Sequence, residues 1–554
     1  MPRLPDRPNL DHLKKQAKDL LALWRAGDRV AINRFRLGLP AVAGKDDATI
    51  ARLGLRLHDA QSCIAREYGF PSWADLRRFV ELRAASGADP AARLLAWLRL
   101  VYAADIAGGN NLARPALAAR LLEDDPGLVG DDPYVACAIG NEDRLRRAMT
   151  TDPGWVGRVG GPLNLPPLVA VAHSGLLRLP AWRDRLHACA RFLLQAGADV
   201  NQPVGSRWPP ASLNQPSAVD TLSALYGAAG RNHDPDLTQL LLQAGANPND
   251  GESLYHALEN NSCTRLLLDA GARIVGTNAM YRVLDFDNLS ALEQLLKHGA
   301  DPNEPATSPP TSDWGSPLLW AIRRRRSPGH IAALLRAGAD PMATTPDGVG
   351  AHAWALRFGL PEVADLLAST AGAAQPAEEQ FIAACARGDE ATARHIQSLR
   401  PDLPRGLSET QLRLLPELAA DGHRTAVELM VALGWPIAVA GGDWKASALN
   451  HAVFRGDAGL TRFLLEHGAS WRERHGHGDD VCGTLSWASW NEPVDGGDWV
   501  GCAEALVAHG MPRALPDPAD STWVVIDGRR KRFSDEVTDF LLEPADARPE
   551  STTS

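Results

Sequence analysis

Apolar positions along this chain recur in short blocks, and each block ends in the same way. The segments RFLLQAGADVN (191–201), QLLLQAGANPN (239–249), RLLLDAGARI (265–274), QLLKHGADPN (294–303), ALLRAGADP (333–341) and RFLLEHGAS (462–470) pass from adjacent leucines, through one or two residues, to Gly-Ala. This spacing predicts a helix whose leucines face a neighbouring unit, ended by a glycine in the left-handed conformation that a Cβ would disfavour. Gly197, Gly245, Gly271, Gly299, Gly338, Gly434, Gly468 and Gly510 are thus predicted helix stops and not phosphate binders.

A second helix precedes each stop. SPLLWAI (316–322), SALNHAV (447–453), SLYHAL (253–258) and GTLSWAS (483–489) occupy its opening, while ARLLEDDPGLV (119–129) and RRAMTTDPGWV (146–156) align as two earlier units with an Asp-Pro-Gly stop. FIAACARGDEATARHIQSL (381–399) supplies a helix pair joined at Gly388-Asp389, and the same junction recurs at Gly456-Asp457. This rhythm resembles the ankyrin repeat, whose unit is an inner helix, an outer helix and a projecting loop with a period of about 33 residues. Gly434 to Gly468 is 34 residues, but other single-unit intervals between stops run from 26 to 48, so the loops must differ in length, and the longer gap from Gly338 to Gly434 holds more than one unit, with 372–434 reading as two units of about 31. The resemblance rests on the outer helices and covers roughly residues 112–512, because none of the inner openings is the family's full T-P-L-H-x-A. It implies an all-α ankyrin-repeat solenoid, an irregular stack of about ten or eleven helix pairs over 89–512, in which neighbouring units together bury a core.

The ends do not repeat. In residues 1–88 Asn9 caps a predicted helix with Leu10, Leu13, Ala17, Leu20, Leu21 and Trp24 on one side and Lys14, Lys15 and Lys18 mainly on the other. DAQSCIAREYGFPSWADLRRFV (59–80) reads as two helices meeting near Gly69, the second opened by a Ser72/Asp75 capping box. The head resembles the N-terminal region of a group of bacterial ankyrin-repeat proteins. Gln61, Ala65 and Gly69 also fit the spacing of a helix-turn-helix, with Arg77 and Arg78 as its basic groups. At the other end, 513–543 is expected to cap the stack with a helix from Ser534 to Leu542, and the polar tail 544–554 to be disordered.

Charge sharpens the division. The net charge is −10, yet residues 1–85 hold 16 Lys and Arg against 10 Asp and Glu, leaving an acidic body. Seven scattered cysteines without a C-x-x-C pair fit reduced thiols in a cytoplasm. The charged, proline-bearing N-terminus lacks the apolar run of a signal peptide, and no span is clean enough for a membrane.

Candidate chemistry is sparse. His475, His477 and Cys482, with Asp479 or Asp480, could be imagined as a metal site, but they fall in a loop without a second ligand pair, so no metal is expected. Arg323 to Arg326 are expected in a solvated turn, and paired acids such as Asp124-Asp125 are expected mostly in solvent. The common phosphate, esterase and zinc-protease signatures are missing, so neither enzyme activity nor a cofactor is expected. Sixteen tryptophans exceed the needs of such a core, and Trp208, Trp314, Trp444, Trp471 and Trp499 fall at loop positions suited to anchoring a partner. The resulting expectation is a monomeric, cytoplasmic bacterial protein that binds another protein through its concave face and loops. The alternative is a DNA-associated regulator acting through residues 59–80.

Overall fold

All eight predicted helix stops take left-handed φ values between 86° and 97°. An added Cβ at any of them would meet nothing within 4 Å, so backbone conformation and not crowding requires glycine there. The computed structural model describes residues 4–5, 7–42, 44–84, 89–109, 112–370, 376–494, 496–518 and 523–542. The expected head boundary at 85–88 and the tail 544–554 lie outside these residues. The described chain is mostly helical and divides into two units, Met1–Asp301 and Pro302–Ser554.

The first unit opens with the basic head. Helix Leu10–Arg25 buries Leu13, Ala17, Leu20, Leu21 and Trp24 and packs on helix Leu57–Glu67. Six helix pairs follow, from Pro90–Val101 with Pro115–Asp124 to Ala279–Asp285 with Leu289–Lys297. The aligned Asp-Pro-Gly segments form matching 3-10 turns, Pro126–Val129 and Pro153–Gly157, in which Asp125 and Asp152 accept from the glycine N–H two residues on. The second unit holds six more pairs, from Pro317–Arg323 with Pro328–Arg336 to Val481–Asn491 with Trp499–Ala508. Among the described residues there are thus twelve pairs, against the ten or eleven expected.

Within each unit inner helices stack on inner helices and outer on outer. The unit loops add a repeated polar staple. The Asn201 side chain donates to Gly245 O (3.0 Å) and accepts from Asn247 N (2.8 Å). Asn249 does the same with Gly271 and Arg273, and Asn303 with Gly338 and Asp340. Each asparagine stands four residues after a stop glycine and binds the carbonyl of the next one, which would otherwise be left without a helical partner.

The C-terminal segment departs from expectation. Strands Leu515–Pro516, Val524–Ile526 and Arg529–Lys531 form a small antiparallel sheet before helix Asp535–Leu542, which packs on helix Trp499–Ala508. The hairpin turns at Asp527-Gly528, both with positive φ, as a two-residue primed turn requires.

Candidate binding cleft

In the second unit one open cleft of about 760 Å³ is lined from both ends by loop and helix residues. One wall begins with the turn Thr311–Asp313, which delivers Trp314 just before Ser316 caps helix Pro317–Arg323. The Trp314 ring meets Trp354 of helix Ala351–Arg357 at 4.7 Å between centroids, and Trp354 stacks on Phe358 at 5.6 Å. Trp354 is held in place by its indole N–H, which donates to Thr345 Oγ1 (3.2 Å).

The opposite wall comes from helix Leu414–Ala420 and the paired strands Ala440–Gly441 and Ala446–Ser447. These supply Glu417 from the helix and Asp443 and Lys445 from the strand turn, with Arg413 just ahead of the helix. Gly442 N donates to Glu417 Oε1 (2.9 Å), tying the turn to the helix. Arg323, only 1% exposed, binds Glu417 and lies 3.5 Å from Asp421 and 3.6 Å from Asp443. Arg324 takes the other Asp443 oxygen at 2.8 Å. Burial pushes the Glu417 carboxyl above its ordinary range, against the pull of Arg323.

His451 closes the base of the strand turn. Its Nε2 donates to Gly441 O (3.2 Å), and the Trp444 ring stands edge-on to it at 4.8 Å. Burial holds the imidazole down at about 4, outweighing the carbonyl bond that favours the cation. The unfolded chain, with the ordinary value of 6.5, binds the proton more readily, so this histidine's stability contribution is complete above pH 6.5 and is lost as pH falls towards 4. The loss should reach about 3 kcal/mol at pH 4. Unfolding midpoints in urea between pH 7 and pH 4 should therefore fall less steeply for His451→Gln than for the parent; equal slopes would remove His451 as the cause.

The five tryptophans expected as loop anchors separate into three groups. Trp208 is 54% exposed in a loop of the first unit. Trp314 and Trp444 are half-buried, Trp314 lining the cleft and Trp444 packed among His451, Phe454 and His475. Trp471 and Trp499 are not displayed at all, at 6% and 8% exposed. Trp499 opens a helix, and its indole N–H donates to Val453 O (3.1 Å), so both serve packing. Trp354 and the exposed Trp487, which stacks on Phe454, are aromatic positions the loop criterion passed over because they sit on inner helices.

Other expectations also need correction. Arg323 to Arg326 are not a solvated turn: Arg323 is buried against three carboxylates, and Arg325 binds Phe358 O. Asp124 and Asp125, by contrast, stay at the surface as expected, where they form ion pairs with Arg83 (3.0 Å) and Arg93 (2.8 Å). The His475–Cys482 loop is engaged by the C-terminal sheet, since Lys531 Nζ reaches Asp479 Oδ2 at 2.5 Å, and Asp480 caps a helix that begins at Val481. In residues 59–80, helix Trp73–Ala84 buries Trp73, Leu76, Phe79 and Val80 and meets helix Pro115–Asp124. Arg120 lies 3.7 Å over the Phe70 ring and donates to the Tyr68 and Gly69 carbonyls, covering the turn of the helix-turn-helix-like segment.

Elsewhere, His187, Asp234 and Asp236 form the one group of potential metal ligands among the described residues. His187 Nε2 is 2.9 Å from Asp234 Oδ2, and Asp234 also caps helix Pro235–Gln243 by accepting from Leu237 N. Those bonds give the pair a structural task between two outer helices. Residues 225–306 match the family model of ankyrin repeats, in three copies. No curated protein matches the chain.

Proposed function

We propose that this chain, an all-α solenoid carrying ankyrin repeats, recognises a partner protein through the cleft of its second unit. Ankyrin repeats generally mediate protein–protein interaction. The observation that carries the reading is the cleft itself: its volume lies in the range of ligand-binding clefts, and the half-buried Trp314, backed by the buried Trp354, faces a ring of fixed charges. Aromatic side chains held rigidly at the centre of a contact are the residues whose truncation costs most affinity.

Binding rather than catalysis is favoured by the state of the nucleophiles. All seven cysteines are buried and free, and burial lifts the Cys63, Cys189, Cys385, Cys482 and Cys502 thiols to about 12, far from a reactive thiolate. Free thiols also favour a reducing bacterial cytoplasm as the site of action. No helix among the described residues is long and apolar enough to cross a membrane. The protein acts in this reading as a monomer without a cofactor.

The test is affinity capture with the full chain, repeated with Trp314→Ala and Trp208→Ala after matching their thermal melts. Trp314→Ala should weaken partner binding by about 2 kcal/mol, roughly 30-fold, whereas Trp208→Ala should leave it within about twofold. Equal recovery by the parent and Trp314→Ala would move the binding surface away from the cleft.

A further inference from the structure

We infer that the occupant of this cleft is a lysine- or arginine-bearing extended segment of a partner protein, an inference that rests on the binding role proposed above. Five carboxylates, Asp313, Asp347, Glu409, Glu417 and Asp443, line the cleft against two basic side chains, Arg413 and Lys445. Arg413 is already committed to Glu409 at 2.6 Å. Glu417 and Asp443 both meet Arg323, and Asp443 also takes Arg324, so their charge is matched and the acidic excess of the cleft rests on Asp313 and Asp347. Asp313 and Asp347 are exposed and make no ion pair among the described residues.

These two carboxylates flank the half-buried Trp314, behind which Trp354 is buried; one lies directly before Trp314 and one in the turn bridged from Thr344 to Gly350. A cation there gains twice: Coulomb attraction from the carboxylates, and attraction from the negative face of an indole ring. The second term is already in use next door, where the Arg357 guanidinium sits 4.8 Å from the Trp354 ring centroid. Phosphate-bearing partners are disfavoured by the same carboxylates. A bound metal ion is disfavoured because no three ligand groups of the cleft come within reach of one centre among the described residues. An opening of about 760 Å³ takes more than one side chain, so the cation arrives on a stretch of chain.

The experiment is selection of a random heptapeptide library displayed on phage against the full chain, followed by titration of the enriched peptides. The enriched peptides should share a lysine or arginine. Replacing it by norleucine or citrulline should weaken binding at least tenfold. Asp313→Asn combined with Asp347→Asn, changes at exposed sites where the amide oxygen at 347 can still accept from Thr345 Oγ1, should weaken it to a similar degree. Enriched peptides that carry no positive charge but are lost with Trp314→Ala would overturn this inference while leaving the cleft as a binding site. Enrichment indifferent to Trp314→Ala, or none, would overturn both. Self-association in sedimentation that disappears in the Asp313→Asn, Asp347→Asn variant would identify a second copy as the occupant and likewise overturn the inference.

Discussion

Replacing Arg323 by methionine is expected to destabilise the second unit by about 3 kcal/mol, although the new side chain is apolar and of similar length. The guanidinium is almost wholly enclosed and faces Glu417, Asp421 and Asp443. Removing it leaves two of these acids without their cation in a poorly solvated place, while Asp443 keeps Arg324 at 2.8 Å. The lower end of the range for broken buried pairs applies because the three carboxylates retain 14% to 30% side-chain exposure. Hydrogen exchange across helices Pro317–Arg323 and Leu414–Ala420 reports this unit more directly than a single melting temperature, since repeat arrays need not unfold in one step. The double variant Arg323→Met, Glu417→Gln should recover part of the loss, because one of the two orphaned charges, the more deeply enclosed one, is then gone while Asp421 remains. A cost below about 1 kcal/mol for the single change, or no recovery in the double, would show that the network is not what holds the cleft walls together.

Arg207→Ala should cost the first unit about 3–5 kcal/mol. Its side chain, 2% exposed, donates from Nη1 to Ile106 O (2.7 Å) and from Nη2 to Leu163 O (2.7 Å) and Asn164 O (3.2 Å). Its own N–H donates to Asp105 O (2.8 Å), and the Asp105 side chain in turn accepts from Tyr226 and Arg231. One cation therefore satisfies carbonyls from the short helix Ala104–Ala107 and from the turn at Leu163-Asn164, and each buried carbonyl left without a donor costs about 1–3 kcal/mol. Burial lowers the guanidinium to about 10, against the pull of Asp105, so it remains charged at neutral pH. Denaturant unfolding together with amide exchange in the paired strands Val204–Gly205 and Thr221–Leu222 measures the loss. Unchanged exchange in those strands would mean that the loop carrying Trp208 is held by something other than Arg207.

Local signals were legible where a residue's conformational preference acts alone. The glycine stops, the Asn9 cap and the Ser72 cap on Asp75 N follow from backbone geometry and short-range hydrogen bonding, and all are present, although the Asp75 carboxylate accepts from the Ser72 hydroxyl and so does not complete a reciprocal box. The VVIDGRRK hairpin is equally local, since Asp-Gly between alternating residues is a strong turn signal, but its strands of two or three residues sit among prolines that read as loop. The asparagine staple was printed in the GAxxN spacing, although its partner in the next unit was not.

Most of the candidate site belongs to a different category. Nothing local distinguishes Trp314, which lines a cleft, from Trp471, which is buried, because both follow stretches of polar loop. Nor does a run of four arginines disclose that the first will meet carboxylates about a hundred residues further along the chain. Periodicity and turn chemistry were enough for an all-α repeat architecture and its punctuation, because each helix stop is written within a few residues. Which side chains are exposed, which charges are paired, and where the cleft opens depended on how unequal units stack, because burial and electrostatics are properties of neighbours distant in sequence.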